Sequence, residues 1–282
     1  GINPASKTGS FIPPARRTPD AGELVEGIFS GDRALVSRAI TLVESNAPAH
    51  RPLAREILKR IGERPGFARR VGISGVPGAG KSTFIEALGN HLCDAGRRVA
   101  VLAVDPSSSL TRGSILGDKT RMETLSRREE CFIRPSPSSG ALGGVTRKTR
   151  ETIAVCEAAG FDVVLIETVG VGQSEIAVRA MVDCFLLILI AGAGDELQGM
   201  KKGIFEIADI LLVNKADGEN KIRAEATRLE FERVMHYLSP ATEGWKPPVL
   251  AASSVARTGI AEVWLSVEKY LTHVEKDGDF DL

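Results

Sequence analysis

One short segment of the chain follows the complete phosphate-binding pattern G-x-x-x-x-G-K-[ST]. It reads Gly75-Val76-Pro77-Gly78-Ala79-Gly80-Lys81-Ser82. Residues 68–74 have the pattern of a short strand, and residues 82–92 have the pattern of a helix. Strand, loop and helix therefore stand in the order that this motif requires, and they predict a site for a nucleoside triphosphate.

The residue types of the motif match the chemistry of a phosphate site. Its glycines let the backbone curl so that successive N–H groups point at phosphate oxygens, next to the positive end of the following helix. We expect Lys81 to reach the β- and γ-phosphates, Ser82 to give Mg²⁺ a hydroxyl ligand, and Thr83 to contact the α-phosphate. The alternative is a glycine-rich turn that only joins a strand to a helix.

A second motif, Asn214-Lys215-Ala216-Asp217, indicates which base is bound. It follows the apolar run 210–213, so it lies at the carboxyl end of a predicted strand, where open α/β sheets bind ligands. The Asp217 carboxylate can accept hydrogen bonds from N1–H and the exocyclic amine of guanine, whereas adenine presents an acceptor. Sites that depend on such bonds discriminate by about four orders of magnitude. We expect Asn214 to brace the loops and the Lys215 stem to cover the base, and the alternative is an ordinary polar turn.

Acidic residues end two further predicted strands. Glu167 ends one apolar run, with Gly170 close behind it, and Asp105 ends another. Asp118 lies further along, in a glycine-containing stretch. A carboxylate at such a position can hold Mg²⁺, directly or through water, or orient the attacking water. Each acid can also be only a strand-terminal or helix-capping residue.

The composition favours a soluble cytoplasmic enzyme. The 282 residues include 36 Lys and Arg against 36 Asp and Glu, and zero net charge argues against nucleic-acid binding through a strongly basic face. No signal peptide is evident. The longest apolar run, 184–191, is too short to span a bilayer, and we interpret it as a central strand. Four scattered cysteines are expected to be buried free thiols, namely Cys93, Cys131, Cys156 and Cys184.

The pattern along the chain predicts an α/β fold preceded by a small helical domain. Residues 1–20 are rich in proline, serine and arginine, and we expect a flexible tail. Residues 21–66 carry apolar positions at helical spacing and form the predicted N-terminal helical domain. Residues 67–274 alternate strands with helices, which predicts a P-loop GTPase domain with a mostly parallel sheet covered by helices on both faces. Residues 275–282 form a C-terminal tail.

Several longer stretches carry a resemblance to a known family. They are residues 104–109, 113–122, 133–140, 167–175 and 192–203. Together they resemble the MeaB/MMAA family, which includes proteins once labelled ArgK. These are the GTPase chaperones of adenosylcobalamin-dependent methylmalonyl-CoA mutase. The resemblance covers about residues 24–278.

The resemblance implies a Mg²⁺-dependent GTPase whose GTP hydrolysis gates adenosylcobalamin delivery to the mutase and protects or reactivates it. It also implies that the cobalamin is bound by the partner. The implied catalytic residues are Lys81, Asp105, Glu167 and Lys201, the last as reporter of a switch loop at 192–202 that senses the mutase. The implied metal site consists of Ser82, Asp105, Asp118 and Glu167. The implied nucleotide contacts run from Gly75 to Thr83 and continue with Asn214, Lys215, Asp217, Ser253, Ser254 and Val255.

The sequence departs from the family pattern at three places. Residues 110–113 replace a glycine-rich stretch, so the loop near the phosphates is expected to differ in mobility. The guanine loop has two serines and a valine at 253–255 where Ser-Ala is usual, but a backbone N–H remains for the guanine oxygen. The sequence stops at Leu282, where relatives continue into a helical arm that makes dimer contacts, and this leaves a homodimer open.

Two other functions are left open. A small-molecule kinase uses the same loop to transfer phosphate to a metabolite, and a metal-delivering GTPase, such as a nickel chaperone, shares the core. Neither an acceptor-pocket motif nor His and Cys at metal-binding spacing is evident. The sequence also leaves open which acyl-CoA mutase is the partner, the turnover with and without it, and which acid orients the attacking water.

Overall fold

The computed structural model describes residues 19–104, 122–135, 142–168, 174–192 and 202–277. Several positions singled out in the sequence lie outside these ranges, namely Asp105, Asp118, Gly170, Lys201 and the stretch 110–113. Within the described ranges, no helix combines the length and the apolar character needed to cross a membrane.

Three N-terminal helices come first, and strands connected mostly by helices follow from residue 69; the described residues between β2 and β3 form only a 3-10 turn at Leu125–Arg127. The strands are β1 (Arg69–Gly75), β2 (Val99–Val104), β3 (Cys131–Pro135), β4 (Val163–Thr168), β5 (Cys184–Ile190), β6 (Ile210–Asn214) and β7 (Val249–Ala251). The helices are α1 (Ala21–Phe29), α2 (Arg33–Glu44), α3 (Arg51–Gly62), α4 (Lys81–Asp94), α5 (Leu142–Ala158), α6 (Ser174–Arg179), α7 (Lys202–Glu206), α8 (Asn220–Met235) and α9 (Ile260–Asp277).

The strands form one parallel sheet in the order β3-β2-β4-β1-β5-β6-β7. The chain moves across the sheet in one direction from β1 to β3 and in the other direction from β3 to β7. Right-handed crossovers therefore place α4 on one face and α5, α6 and α8 on the opposite face. The packing of α9 against α4, and of α5 against α6, agrees with this arrangement. The predicted α/β fold with a parallel sheet covered on both faces is confirmed.

The central strands are buried because helices cover them on both faces. Every residue of β4 and six of the seven residues of β5 are buried. Strand β5 is the apolar run predicted to be a central strand, and it lies between β1 and β6. The four cysteines are buried and free, as predicted. This apolar interior fixes the carboxyl ends of the strands, where the predicted site residues lie.

The N-terminal helices pack directly on α5. At the start of α1, the Asp20 side chain accepts from the Glu23 N–H at 2.9 Å, and the Glu23 side chain accepts from the Asp20 N–H at 3.0 Å. This reciprocal capping satisfies two backbone donors at the helix end. The buried side chains Leu24, Ile28 and Ile40 join the same apolar core as the sheet.

One buried ion pair connects these helices with the sheet. Glu44, at the end of α2, is 8% exposed, and its Oε2 accepts from Arg134 Nη2 at 2.6 Å and from Arg134 Nε at 3.2 Å. Burial raises the pKa of Glu44, and the Arg134 guanidinium opposes that change. Because Arg134 stands near the end of β3, the pair fixes α2 against the carboxyl edge of the sheet.

Breaking this pair should destabilise the fold. Glu44→Gln is expected to lower the free energy of unfolding by about 2 kcal/mol. This loss is smaller than the loss expected for a fully buried ion pair, because the Arg134 side chain keeps 20% exposure. Glu56→Gln is the matched control, since its pair with Arg60 is exposed at 45% and 41% and should contribute about 0.5 kcal/mol or less. Urea unfolding measures both variants, and equal losses would contradict the role assigned to the buried pair.

Candidate nucleotide-binding site

The phosphate loop joins β1 to α4 and requires glycine at two close approaches. Gly80 precedes α4 with a φ of +84°, and a Cβ on it would lie 2.7 Å from Nδ2 of Asn214. At Gly75, a Cβ would lie 2.3 Å from the carbonyl oxygen of Ile188 in β5. A larger residue at either position would push the loop away from the neighbouring strands. The loop therefore keeps its place only with these two glycines.

The Lys81 side chain lies within the phosphate loop. Its Nζ donates to the carbonyl oxygens of Gly75 at 2.8 Å and Val76 at 3.2 Å. Burial lowers the pKa of Lys81, while the carboxylates of Glu167 and Glu175 act in the opposite direction. The ammonium group is held where a triphosphate would enter, and phosphate oxygens can replace its two carbonyl contacts.

Ser82 and Glu167 meet beside this loop, as the motifs predict. The Ser82 Oγ donates to Glu167 Oε1 at 3.0 Å, and Glu167 is 7% exposed near the carboxyl end of β4. A hydroxyl and a carboxylate oxygen fit Mg²⁺, which combines one or two protein oxygens with water and substrate phosphates. Within the described residues, no group of three or more His, Cys, Asp or Glu side chains could hold a metal ion.

Asn214 connects the phosphate loop to the loop after β7. Its Nδ2 donates to the carbonyl oxygen of Ala79 at 2.8 Å. Its Oδ1 accepts from Ser254, from the hydroxyl at 2.8 Å and from the N–H at 3.3 Å. The amide is 1% exposed, so both of its halves are satisfied in a buried position. The predicted bracing role of Asn214 thus corresponds to these contacts.

Asp217 is oriented by a serine of the same loop. Ser253 Oγ donates a short hydrogen bond to Asp217 Oδ2 and accepts from the N–H of Ala256 at 3.0 Å. Backbone bonds between Ser253 and Thr258, at 3.0 and 3.1 Å, fix the serine in turn. The carboxylate is therefore held in one orientation at the edge of the sheet, where it can receive the two donors of guanine.

Lys215 and Val255 lie on the exposed side of this region. Lys215 has a φ of +60°, and its Cε lies 3.9 Å from the Cβ position of Gly80. The lysine stem therefore runs beside the phosphate loop, where it can cover a bound base. Val255 is 80% exposed in the neighbouring loop. The base-binding roles of Lys215 and Val255 stay predictions.

Two buried features of the site are not predicted by the motifs. The hydroxyls of Ser74 and Thr168 share a hydrogen bond of 2.8 Å at the adjoining ends of β1 and β4, and both residues are fully buried. Glu175 is 3% exposed in the first turn of α6, and its charge acts on Lys81. A polar residue inside an apolar strand signals a buried hydrogen bond, and Ser74 and Thr168 both carry that signal.

The groups that the motifs predict separately thus surround a single loop at the carboxyl edge of the parallel sheet. This arrangement defines a P-loop nucleotide-binding protein of the GTPase type. The family described as "Methylmalonyl Co-A mutase-associated GTPase MeaB" matches residues 36–282. The chain belongs to this family of GTPases, which confirms both the resemblance and the GTPase activity predicted from the sequence.

Relatives match most of the chain. A probable GTPase of Mycobacterium bovis is 56% identical over 258 residues, covering 92% of this chain and 77% of that protein. The GTPase ArgK of Escherichia coli is 49% identical over 256 residues, covering 91% and 77% respectively. A mitochondrial protein of Mus musculus, named methylmalonic aciduria type A homolog, is 46% identical over 266 residues, covering 91% and 64%.

Two solved structures share the fold of this chain. A crystal structure described as LAO/AO transport system kinase has a TM-score of 0.78 at 41% identity, covering 92% of this chain and 77% of that chain. Nickel-bound HypB of Helicobacter pylori has a TM-score of 0.51 at 16% identity, covering 79% and 94%. The second likeness shows the fold alone.

The carboxylate of Asp217 should determine the choice of base. Wild-type protein is expected to bind GDP more tightly than ADP by up to about four orders of magnitude. Asp217→Asn should shift the preference towards xanthosine diphosphate, whose C2 carbonyl can accept from the new amide. Calorimetric titration of the three nucleotides measures this change, with Asp32→Asn at the start of α2 as a remote control. Equal binding of ADP and GDP by the wild type would contradict the assignment.

Proposed function

We propose that the chain is a cytoplasmic, Mg²⁺-dependent GTPase that acts as a chaperone of an adenosylcobalamin-dependent acyl-CoA mutase. It would gate delivery of adenosylcobalamin to methylmalonyl-CoA mutase, or to a related acyl-CoA mutase, and protect or reactivate that enzyme. The observation that carries this proposal is the match of residues 36–282 to a family described as mutase-associated. In this proposal the cobalamin is bound by the partner and not by this chain.

The contacts of the phosphate loop support the chemical part of the proposal. The loop N–H groups and the Lys81 ammonium would neutralise charge on the β- and γ-phosphates. Ser82 and Glu167 would hold Mg²⁺, with Asp105 and Asp118 as proposed further ligands. When bound, the ion supplies positive charge at the phosphate oxygens. Phosphoryl transfer needs little covalent help from the protein, so positioning and charge neutralisation provide most of the rate enhancement.

Glu167 should be required for hydrolysis more than for binding. Glu167→Gln keeps the size of the side chain but removes the charge beside Ser82, so single-turnover GTP hydrolysis should fall by about 100-fold or more. GDP affinity without Mg²⁺ should change by less than about threefold, since that complex does not use the metal ligand. Glu262→Gln, in the first turn of α9, is the control and should hydrolyse GTP normally. Unchanged turnover in Glu167→Gln would show that Glu167 stabilises the fold and takes no part in hydrolysis.

Lys201 should be required for the response to the mutase. The stretch 192–203 follows β5 in the sequence and is rich in glycine, and binding of a partner to it would change hydrolysis. We expect slow hydrolysis by the free chain and an acceleration of about tenfold or more by the cognate mutase. Lys201→Ala should lose most of that acceleration and keep its GTP affinity.

The assay compares phosphate release with and without the mutase in three proteins. These are the wild type, Lys201→Ala and Lys221→Ala, the last with its exposed lysine near the start of α8. If the mutase stimulates Lys221→Ala but not Lys201→Ala, the result supports the role of residues 192–202 as a switch loop. Equal stimulation of all three would overturn the role of Lys201, and no stimulation of the wild type would overturn the mutase partnership.

A small-molecule kinase is the second candidate, because one similar solved structure is described as a transport system kinase. A kinase would move the γ-phosphate to an organic acceptor instead of water. Labelled GTP distinguishes the two functions, since a GTPase releases the label as inorganic phosphate. The metal-delivering alternative has no comparable support, because the likeness to HypB shows only the fold.

A further inference from the structure

Helix α6 is held in place by its contacts and not by its own stability. It has six residues, from Ser174 to Arg179, and helices this short are unstable in isolation. In its last turn, Val178 packs on Gly72 of β1 so closely that a Cβ at Gly72 would lie 2.9 Å from Val178 Cγ1. Because β1 leads directly into the phosphate loop, the position of α6 is tied to the position of that loop.

The carboxyl end of α6 is anchored in a largely buried group of polar side chains, here called the Asp209 cluster. Its members are Arg179, Asp209, Thr242 and Tyr270. Arg179 Nη2 donates to Asp209 Oδ1 at 3.1 Å and to the Tyr270 hydroxyl at 3.2 Å. The hydroxyls of Tyr270 and Thr242 are 2.9 Å apart. Asp209 and Tyr270 are 1% and 2% exposed, whereas the Arg179 side chain keeps 23% exposure.

The Asp209 cluster connects α6 with two other parts of the molecule. Tyr270 belongs to α9, and the second oxygen of Asp209 accepts from the N–H of Phe185 in β5 at 2.7 Å. Apolar side chains of similar volume often stabilise a fold as well as a buried ion pair does. The polar groups of the cluster therefore contribute mainly to geometry. Their hydrogen bonds have preferred directions, so they orient the Arg179 guanidinium and with it the end of α6.

The other end of α6 carries a buried acid. Glu175 is buried in the first turn. Burial lowers the pKa of Lys81, and the carboxylates of Glu167 and Glu175 act in the opposite direction. Glu175 and Arg179 are four residues apart, which places them on the same side of the helix about one turn from each other. A single helical turn therefore separates the buried Glu175 from Arg179, which is anchored in the Asp209 cluster.

We propose that Arg179 and Tyr270 are positioning residues for GTP hydrolysis. They fix α6 against β1, where Val178 packs on Gly72, and so keep in place the phosphate loop that follows β1. The inference rests on the GTPase activity of the family, and neither Arg179 nor Tyr270 is placed in contact with the nucleotide. A displacement of α9 would alter hydrolysis through the Tyr270 hydroxyl.

Tyr270→Phe tests the inference with the smallest change. It removes the hydroxyl and keeps the ring against Trp245, whose centroid lies 5.1 Å away. The kcat for GTP hydrolysis should fall about tenfold. A small displacement of a catalytic group has a large effect on rate even when the mutated residue is remote from the reacting atoms. KM for GTP and the affinity for GDP should stay within about twofold, because the nucleotide contacts are unchanged. Arg179→Lys should recover part of the rate lost in Arg179→Ala.

Trp245→Phe is the matched control. It removes a bond to the same cluster, in which Trp245 Nε1 donates to the Asp209 carbonyl oxygen at 2.8 Å, and it leaves both bonds of Arg179 in place. Its kcat should equal that of the wild type even if its melting temperature falls as far as that of Tyr270→Phe. A selective loss of kcat in folded Tyr270→Phe supports the inference. Equal kcat in Tyr270→Phe and Trp245→Phe, or a change confined to KM, would overturn it while leaving the GTPase activity of the wild type established.

Discussion

The buried amide of Asn214 holds the phosphate-binding and base-binding parts of the site together. One end donates to Ala79 in the phosphate loop, and the other accepts from Ser254 in the loop after β7, each at 2.8 Å. A buried polar group that loses its partner costs about 1–3 kcal/mol, so both loops depend on this side chain. The phosphate loop and the loop that orients Asp217 are therefore held at a fixed distance from each other.

The parallel sheet makes this contact possible. Asn214 ends β6 in register with Ile190 of β5, and the phosphate loop follows β1 on the other side of β5. Only one strand separates the two segments, so a short side chain can reach from one to the other. The same proximity explains Gly80, because any Cβ at that position would collide with the Asn214 amide. Core packing of the central strands therefore determines the geometry of the site.

Local patterns in the sequence predicted much of the fold and of the site, because they describe groups that a few neighbouring residues position. The phosphate-binding role of Lys81, for example, is predicted from the strand–loop–helix pattern of the sequence alone. Contacts between distant segments could not be predicted in this way. The bond from Ser253 to Asp217 joins residues 36 positions apart, and the Glu44–Arg134 pair joins residues 90 positions apart. Such contacts depend on where whole strands and helices meet, and Asp105, Asp118 and Lys201 remain predictions.

The most direct test compares GDP and ADP binding to wild-type protein and to Asn214→Ala by calorimetry. ADP reports on the phosphate loop without the guanine contacts, whereas GDP reports on both. If Asn214 braces both loops, the variant should bind both nucleotides more weakly, and GDP should lose more affinity than ADP. Unchanged ADP affinity together with weakened GDP binding would show that Asn214 serves the base loop alone, and would contradict this account of the site.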